Sequence, residues 1–438
     1  MDTLKAVFKN KSLMKKIVFT LLVFLIYRFA TYIHVPLINP AVITQVFEDR
    51  FGDAGFFGIM DAFTGSALSN YSIIALGIGP YITASIVINL LQMDIVPILK
   101  EWSEEGETGK QKINQTTRYL ALGLAFVQAL GMTYGFALTG DAIFDIGVEP
   151  TFLTYTYLAL IMTAGTAFLL WLADQITLKG IGNGTSMIIV AGILAGIPGM
   201  FASLFGEYIT GSGTGTMDYT IFGIVVLMYI LIIVGVTYMQ SATRNIPVQY
   251  SNRPSSSKFK GKSGSNIPLK INSAGVIPVI FAVTILSLPQ TILSFVPQIT
   301  ESTAGLWLTE MFNYQRPLGY IVYAVLIVVF TFFYSFVQIN PEKISKNLQN
   351  QNAFVPGVRP GIETENYISK LLFKITIIGA FYLLLVASLP IFVGIIFGLP
   401  PYIQIGGTSI LIVVGVALQT TKQIKTDIQG KSYSGFLR

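Results

Sequence analysis

Apolar runs of about 20 residues recur from one end of this chain to the other, and nothing else constrains its fold as much. A helix of that length crosses a bilayer core of about 30 Å. Ten runs are read, at about 17–38, 70–92, 118–138, 152–173, 185–204, 219–240, 273–297, 318–339, 371–397 and 402–421. Only 11% of the 438 residues are charged, whereas a soluble protein is usually about 25% charged. The expected class is an all-α polytopic membrane protein with ten spans. No small-residue cleavage site follows the first run, so it reads as a span and not as a removable signal.

Ten spans put both termini on one side. Of 28 basic residues, 25 fall at the termini or in and beside the loops between spans 2 and 3, 4 and 5, 6 and 7, and 8 and 9. Arg50 and Arg316 fall on the opposite, otherwise acidic side, and Arg28 lies inside span 1. The positive-inside rule therefore predicts cytoplasmic termini.

Span 2 contains GIGPYI, Gly77 to Ile82, and span 7 contains GVIPVI, Gly275 to Ile280. Both fit G-x-x-P-x-I, 198 residues and five spans apart. Five is odd, so the copies run in opposite directions, as in an inverted repeat of spans 1–5 against spans 6–10. The plain alternative is coincidence, because Gly and Pro are common in membrane helices. The expected halves are residues 1–210 and 211–438.

The chemistry is sparse. The chain has no cysteine, which excludes disulfides, iron–sulfur clusters and thiol nucleophiles. Its one histidine, His34, is too few for an ordinary zinc site. No metal site and no cofactor is expected. Neither GKS triplet, Gly261–Ser263 or Gly430–Ser432, has the upstream glycine of a phosphate loop. No span interior carries Asp or Glu, and Asp174 sits at a span end, which argues against an ion-coupled carrier. The chain carries no visible engine, so it is not read as an enzyme. Arg28 is either a pore or partner contact or a buried arginine that caps carbonyls or snorkels.

Two cytoplasmic loops, at 241–272 and 340–370, are far longer than the usual connections of about 2–8 residues in helical bundles. Their basic residues suit an acidic protein face or RNA phosphates, or they merely obey the topology rule. On span 2, Ile82 and Ile86 are one helical turn apart and share a face. A midplane ring of such side chains would close a funnel, and ordinary helix packing is the plainer account of each one singly. Before span 2 lies GFFGIMDAFTGSAL, 55–68, apolar but too short to span. It reads as interfacial or re-entrant beside a cavity.

Seven ordered segments carry a resemblance: YRFATYIHVP, GSALSNYSIIALGIGPYITASI, EGETGKQKINQTTRY, DQITLKGIGNGTS, IPLKINSAGVIPVIF, NAFVPGVRPG and IGGTSILIVVGVALQT. Nearly the whole chain resembles the SecY family, the central subunits of bacterial protein-conducting channels. The resemblance implies two pseudo-symmetric, inverted five-helix halves around an hourglass pore. It implies a pore ring of Ile82, Ile86, Ile189, Ile280 and Ile412, with Thr185 where the family often has a sixth aliphatic residue. Residues 55–68 become a plug helix, including Phe57, Gly58, Ile59, Met60, Asp61, Phe63 and Gly65. The family often has a neutral Asn near Asp61, and a carboxylate there is expected to favour a wetter, more easily displaced plug. A lateral gate between spans 2 and 3 and spans 7 and 8 would include Ser85, Gln128 and Thr284. Docking is expected at Arg359, Arg244, Lys258, Lys260 and Lys262, although the 6/7 loop departs from the family's longer basic stretch.

The implied function is a passive gated channel in the bacterial plasma membrane. It passes unfolded secretory chains across and releases membrane segments sideways into the lipid bilayer. The implied partners are SecE, SecG, the motor ATPase SecA, the ribosome, signal peptides and nascent chains, and no DNA. Two alternatives stand beside it: a secondary transporter of a small solute, and an accessory paralogue serving a few cargoes.

Overall fold

The computed structural model describes residues 10–51, 56–92, 95–137, 144, 151–210, 216–250, 265–295, 303–314, 316–399 and 401–434. The first half of the chain holds α1 (Lys11–Ala30), α2 (Pro40–Phe51), α3 (Phe56–Thr64), α4 (Gly79–Leu91), α5 (Pro97–Glu104), α6 (Glu107–Ala137), α7 (Phe152–Lys179) and α8 (Gly184–Phe205). The second half holds α9 (Thr216–Ser241), β1 (Thr243–Tyr250), β2 (Ser265–Lys270), α10 (Ile277–Phe295), α11 (Thr303–Phe312), α12 (Pro317–Gln338), α13 (Pro341–Asn350), β3 (Ala353–Phe354), α14 (Ile362–Phe397) and α15 (Pro401–Ser434). Among the described residues, six helices are long and apolar enough to cross a membrane: α6, α7, α8, α9, α12 and α14. Helices α1, α4, α10 and α15 fill the other four of the ten expected positions.

The two halves share one packing scheme. In the first, α1 packs on α7 and α8, α4 on α6, α6 on α7, and α7 on α8. In the second, α9 packs on α14 and α15, α10 on α12, α12 on α14, and α14 on α15. Each pair in one half has its counterpart in the other. The halves meet along α8 and α15 on one side, and where α10 faces α4 and α6 on the other.

Span 2 is not the continuous helix 70–92 that its apolar run suggests. Residues 66–78 form successive turns, and the helix starts only at Gly79. Gly77 holds φ +57°, and Pro80 in the first turn has no N–H to extend the ladder backwards. The turns survive because neighbouring backbone satisfies them. Val35 N–H donates to Tyr71 O at 3.1 Å and Ile73 N–H to Ile33 O at 3.0 Å. Ala67, Leu68, Ile74, Ala75 and Leu76 are fully buried, so this irregular backbone meets protein and not lipid. Span 7 repeats the device: Gly275 has φ +67°, the Asn272 side chain bonds both its N–H and its C=O, and the helix starts at Ile277.

The two long loops, at 241–272 and 340–370, are not independent. β1 pairs antiparallel with β2, Ile246 opposite Ile267, and with β3, Tyr250 opposite Ala353. This small sheet buries Ile246, Val248 and Leu269 against Leu348 of α13 and Ile368 and Ile375 of α14. Loops 6/7 and 8/9 thus make one module.

Candidate functional site

The short helix α3 touches both halves. It packs on α8 from the first and on α10 and α15 from the second. Its approach to α8 depends on Gly192, where a Cβ would collide with the Phe63 carbonyl. Phe63 joins one apolar cluster with Ile189, Ile280 and Ile412. Three of the five isoleucines expected at the pore therefore meet at α3. Ile82 lines a cavity of about 50 Å³ with Met60, Phe63 and Ile189. Ile86 is set in a second cluster with Ile82, Phe281 and Phe330, where α4 faces α10 and α12. Thr185 is engaged in capping α8: its hydroxyl donates to Asn183 Oδ1 at 2.8 Å, and its N–H reaches the same oxygen at 3.2 Å.

Asp61 is not in the wet position expected of it. Its Oδ1 accepts the N–H groups of Leu68 and Ser69 at 3.1 and 2.8 Å. The carboxylate turns back along its own chain and pins α3 to the fixed turns of 66–78. Two carbonyls at the C-terminal end of α3 are held from α1. Tyr27 Oη donates to Thr64 O at 2.7 Å, and Arg28 Nη1 donates to Gly65 O at 2.8 Å. Arg28 also donates from Nη2 to Tyr32 Oη at 2.7 Å and lies 4.8 Å over that ring. Of the two readings of Arg28, carbonyl capping is the one seen. Tyr27 was not legible as a functional residue, because its acceptor is a backbone atom 37 residues away. Gly58 lies within α3; for Phe57 and Ile59 only the helical backbone is described.

Of the expected gate residues, Gln128 on α6 donates from Nε2 to Met60 Sδ at 3.8 Å, which links α6 to α3. Thr284 on α10 donates its hydroxyl to Ile280 O at 2.8 Å. Ser85 is half-buried on α4, the helix that α10 packs against. α10 packs against both α4 and α6 along this seam.

On the module of loops 6/7 and 8/9, Arg359 is exposed beside Glu363, Asn366, Tyr367 and Lys370. Its carbonyl accepts the Thr364 hydroxyl at 2.8 Å, which shapes the loop without using the guanidinium. Arg244 is exposed on β1. Lys258, Lys260 and Lys262 lie outside the described residues. On α13, the hydrogen bond from Lys346 to Glu342, 2.6 Å long, lowers the Glu342 carboxyl and raises the Lys346 ammonium from their ordinary values. Among the described residues no group of three or more His, Cys, Asp or Glu could hold a metal ion.

The SecY family model matches residues 72–421. The protein translocase subunit SecY of Bacillus licheniformis is 44% identical over 438 residues, covering 100% of this chain and 99% of that one. The same subunit of Staphylococcus aureus is 44% identical over 442 residues, covering 99% of each. A solved protein-conducting channel aligns with TM-score 0.62 at 18% identity, over 95% of this chain and 93% of that chain. A SecY structure described by its plug domain's role in the closed state aligns with TM-score 0.60 at 17% identity, over 95% and 93%. With the family model matching most of its length and relatives at 44% identity from end to end, the chain belongs to the SecY family.

Proposed function

We propose that the chain is the pore-forming subunit of a protein translocase, a gated channel that passes unfolded polypeptides through a multi-pass membrane protein. The observation that carries this is α3, a helix of 9 residues seated where Ile189, Ile280 and Ile412 from both halves converge. A ring of branched apolar side chains excludes water and ions until something wider pushes it apart. A helix only about 14 Å long, at roughly 1.5 Å per residue, reaches such a ring without crossing the bilayer.

In this reading Ile82, Ile86, Ile189, Ile280, Ile412 and Thr185 line the constriction, and residues 55–68 are the plug. Ser85, Gln128 and Thr284 lie along the gate through which membrane segments leave. The halves divide near residue 210. The cytoplasmic module, with Arg359 and Arg244, docks the driver, SecA or a translating ribosome. SecE braces the halves and SecG accompanies them. Both termini are cytoplasmic and the membrane is the bacterial plasma membrane. The relatives' names and the charge map support these assignments.

Depleting the protein in its host tests the function. Secretory precursors should accumulate with their signals uncleaved, and normal export after depletion would overturn the reading.

A further inference from the structure

A helix leaves its last carbonyls without partners inside the helix. At the end of α3 one is met locally, since Ser66 N–H donates to Asp61 O at 3.1 Å. Thr64 O, on the last residue of the helix, and Gly65 O, just after it, are met by consecutive residues of another helix, Tyr27 and Arg28 of α1. Both donors stand on ground that does not belong to α3. The Tyr27 ring is 2% exposed and packs among Val23, Ile74, Ile78 and Leu169. Arg28 is held independently by Tyr32. Beyond the two carbonyls the backbone turns through consecutive positive φ values, +64° at Gly65 and +68° at Ser66, before entering the buried turns.

We infer that Tyr27 and Arg28 form a latch that positions the C-terminal end of α3 and sets how readily the channel opens; this rests on reading α3 as the plug. A cavity of about 50 Å³ lies between α3 and the residues Tyr27, Ile82 and Ile189, so side-chain packing is incomplete there. The latch supplies direction that packing lacks. It fixes the end of α3 that joins the wall, so α3 opens as a lever turning about Gly65 and Ser66. Opening also strands the donors. Arg28 keeps Tyr32, but Tyr27 loses the Thr64 carbonyl inside an apolar cluster. An unmet buried polar group is costly, so the plug leaves only when water or another carbonyl reaches that hydroxyl.

The test uses the full chain as the sole copy in its host, with its natural partners present. The chain has no cysteine, so Ala62→Cys, a small change on α3, provides a unique label site in every strain. Two quantities are read: the rate at which a membrane-impermeant maleimide labels that site, and the export of a precursor with a defective signal relative to an intact one. Tyr27→Phe, which keeps the ring and its packing, and Arg28→Gln should each raise both about 2- to 10-fold at parental abundance, the effect of one hydrogen bond. Arg28→Lys, which keeps a charged donor, should raise them less. Ile280→Asn serves as an independent variant of the constriction. If Ile280→Asn relaxes export while Tyr27→Phe leaves both readings flat, the latch is wrong and the channel stands. If none of these variants moves either reading, the channel reading falls and takes the latch with it.

Discussion

Gly77 and Gly275 adopt the same left-handed backbone, φ +57° and +67°, each two residues before a membrane helix begins. Their spacing is that of the G-x-x-P-x-I repeat, so the sequence echo is also a structural one. Their surroundings differ, and this separates backbone strain from plug contact. An alanine in this conformation costs about 1–2 kcal/mol. At Gly275 nothing lies within 4 Å of the added Cβ, so Gly275→Ala should lower stability by about that much and leave gating alone. At Gly77 the Cβ would sit 2.5 Å from Thr64 Cγ2, on the last residue of α3. Gly77→Ala should therefore also push α3 off its seat. Thermal unfolding of the purified complex and export of a defective-signal precursor check the two halves of this claim; equal export from both variants would count against it.

The apolar cluster around Phe63 makes a prediction about the constriction. Ile412 is 2% exposed and shares that cluster with Ile189 and Ile280. Asparagine is similar in size but brings a polar amide that wets the seam. Replacing a buried aliphatic side chain by a polar one costs roughly 2–4 kcal/mol locally. Ile412→Asn should leave the ten-helix body folded, because the cluster is small. It should let precursors with defective signals through. Unchanged export stringency, with the variant present at normal abundance, would remove Ile412 from the ring.

Most of the fold was legible because hydropathy over 20 residues is a property of composition, which tertiary contacts do not overturn. The repeat was legible because Gly and Pro fix backbone geometry wherever they fall. Span 2 misled because 66–78 is as apolar as a helix, and only bonds from Ile33 and Val35 reveal that it is not one. The sheet was missed although its signal was present. Ile246 and Val248 fall on alternate positions, as do Ile267 and Leu269, but Pro247 and Pro268 stand between them and argue against a strand, and positive charge dominates the reading of that loop. Tyr27 could not be read at all. A hydroxyl that recognises a main-chain carbonyl leaves no mark on the partner's side chain.

Asp61 offers a test that separates charge from geometry. Its Oδ1 takes two backbone N–H groups, and asparagine presents an oxygen in the same place. Asp61→Asn should therefore change the closed state by less than about 0.5 kcal/mol, within the range of innocuous substitutions. Asp61→Ala leaves the Leu68 and Ser69 N–H groups without that acceptor, at about 1–3 kcal/mol for a buried donor. The alanine variant should label faster at a reporter cysteine on α3 and the asparagine variant should not. If both behave alike, the carboxylate acts through its charge and the capping account is wrong.

The module of loops 6/7 and 8/9 carries the last prediction. Arg359 is exposed, and its loop is shaped through its carbonyl and not its guanidinium. Reversing its charge should therefore leave the fold within about 0.5 kcal/mol of the parent. If the module docks an acidic face of the driver, Arg359→Glu places like charges together and slows their encounter, because rim charges act mainly on association rate and salt dependence. Binding of purified motor ATPase to the channel in proteoliposomes should weaken about tenfold at low salt, and the deficit should shrink as salt screens it. Arg244, on the same module through β1, should show a smaller effect of the same sign. A variant that binds normally at low salt but translocates poorly would move Arg359 from docking to a later step.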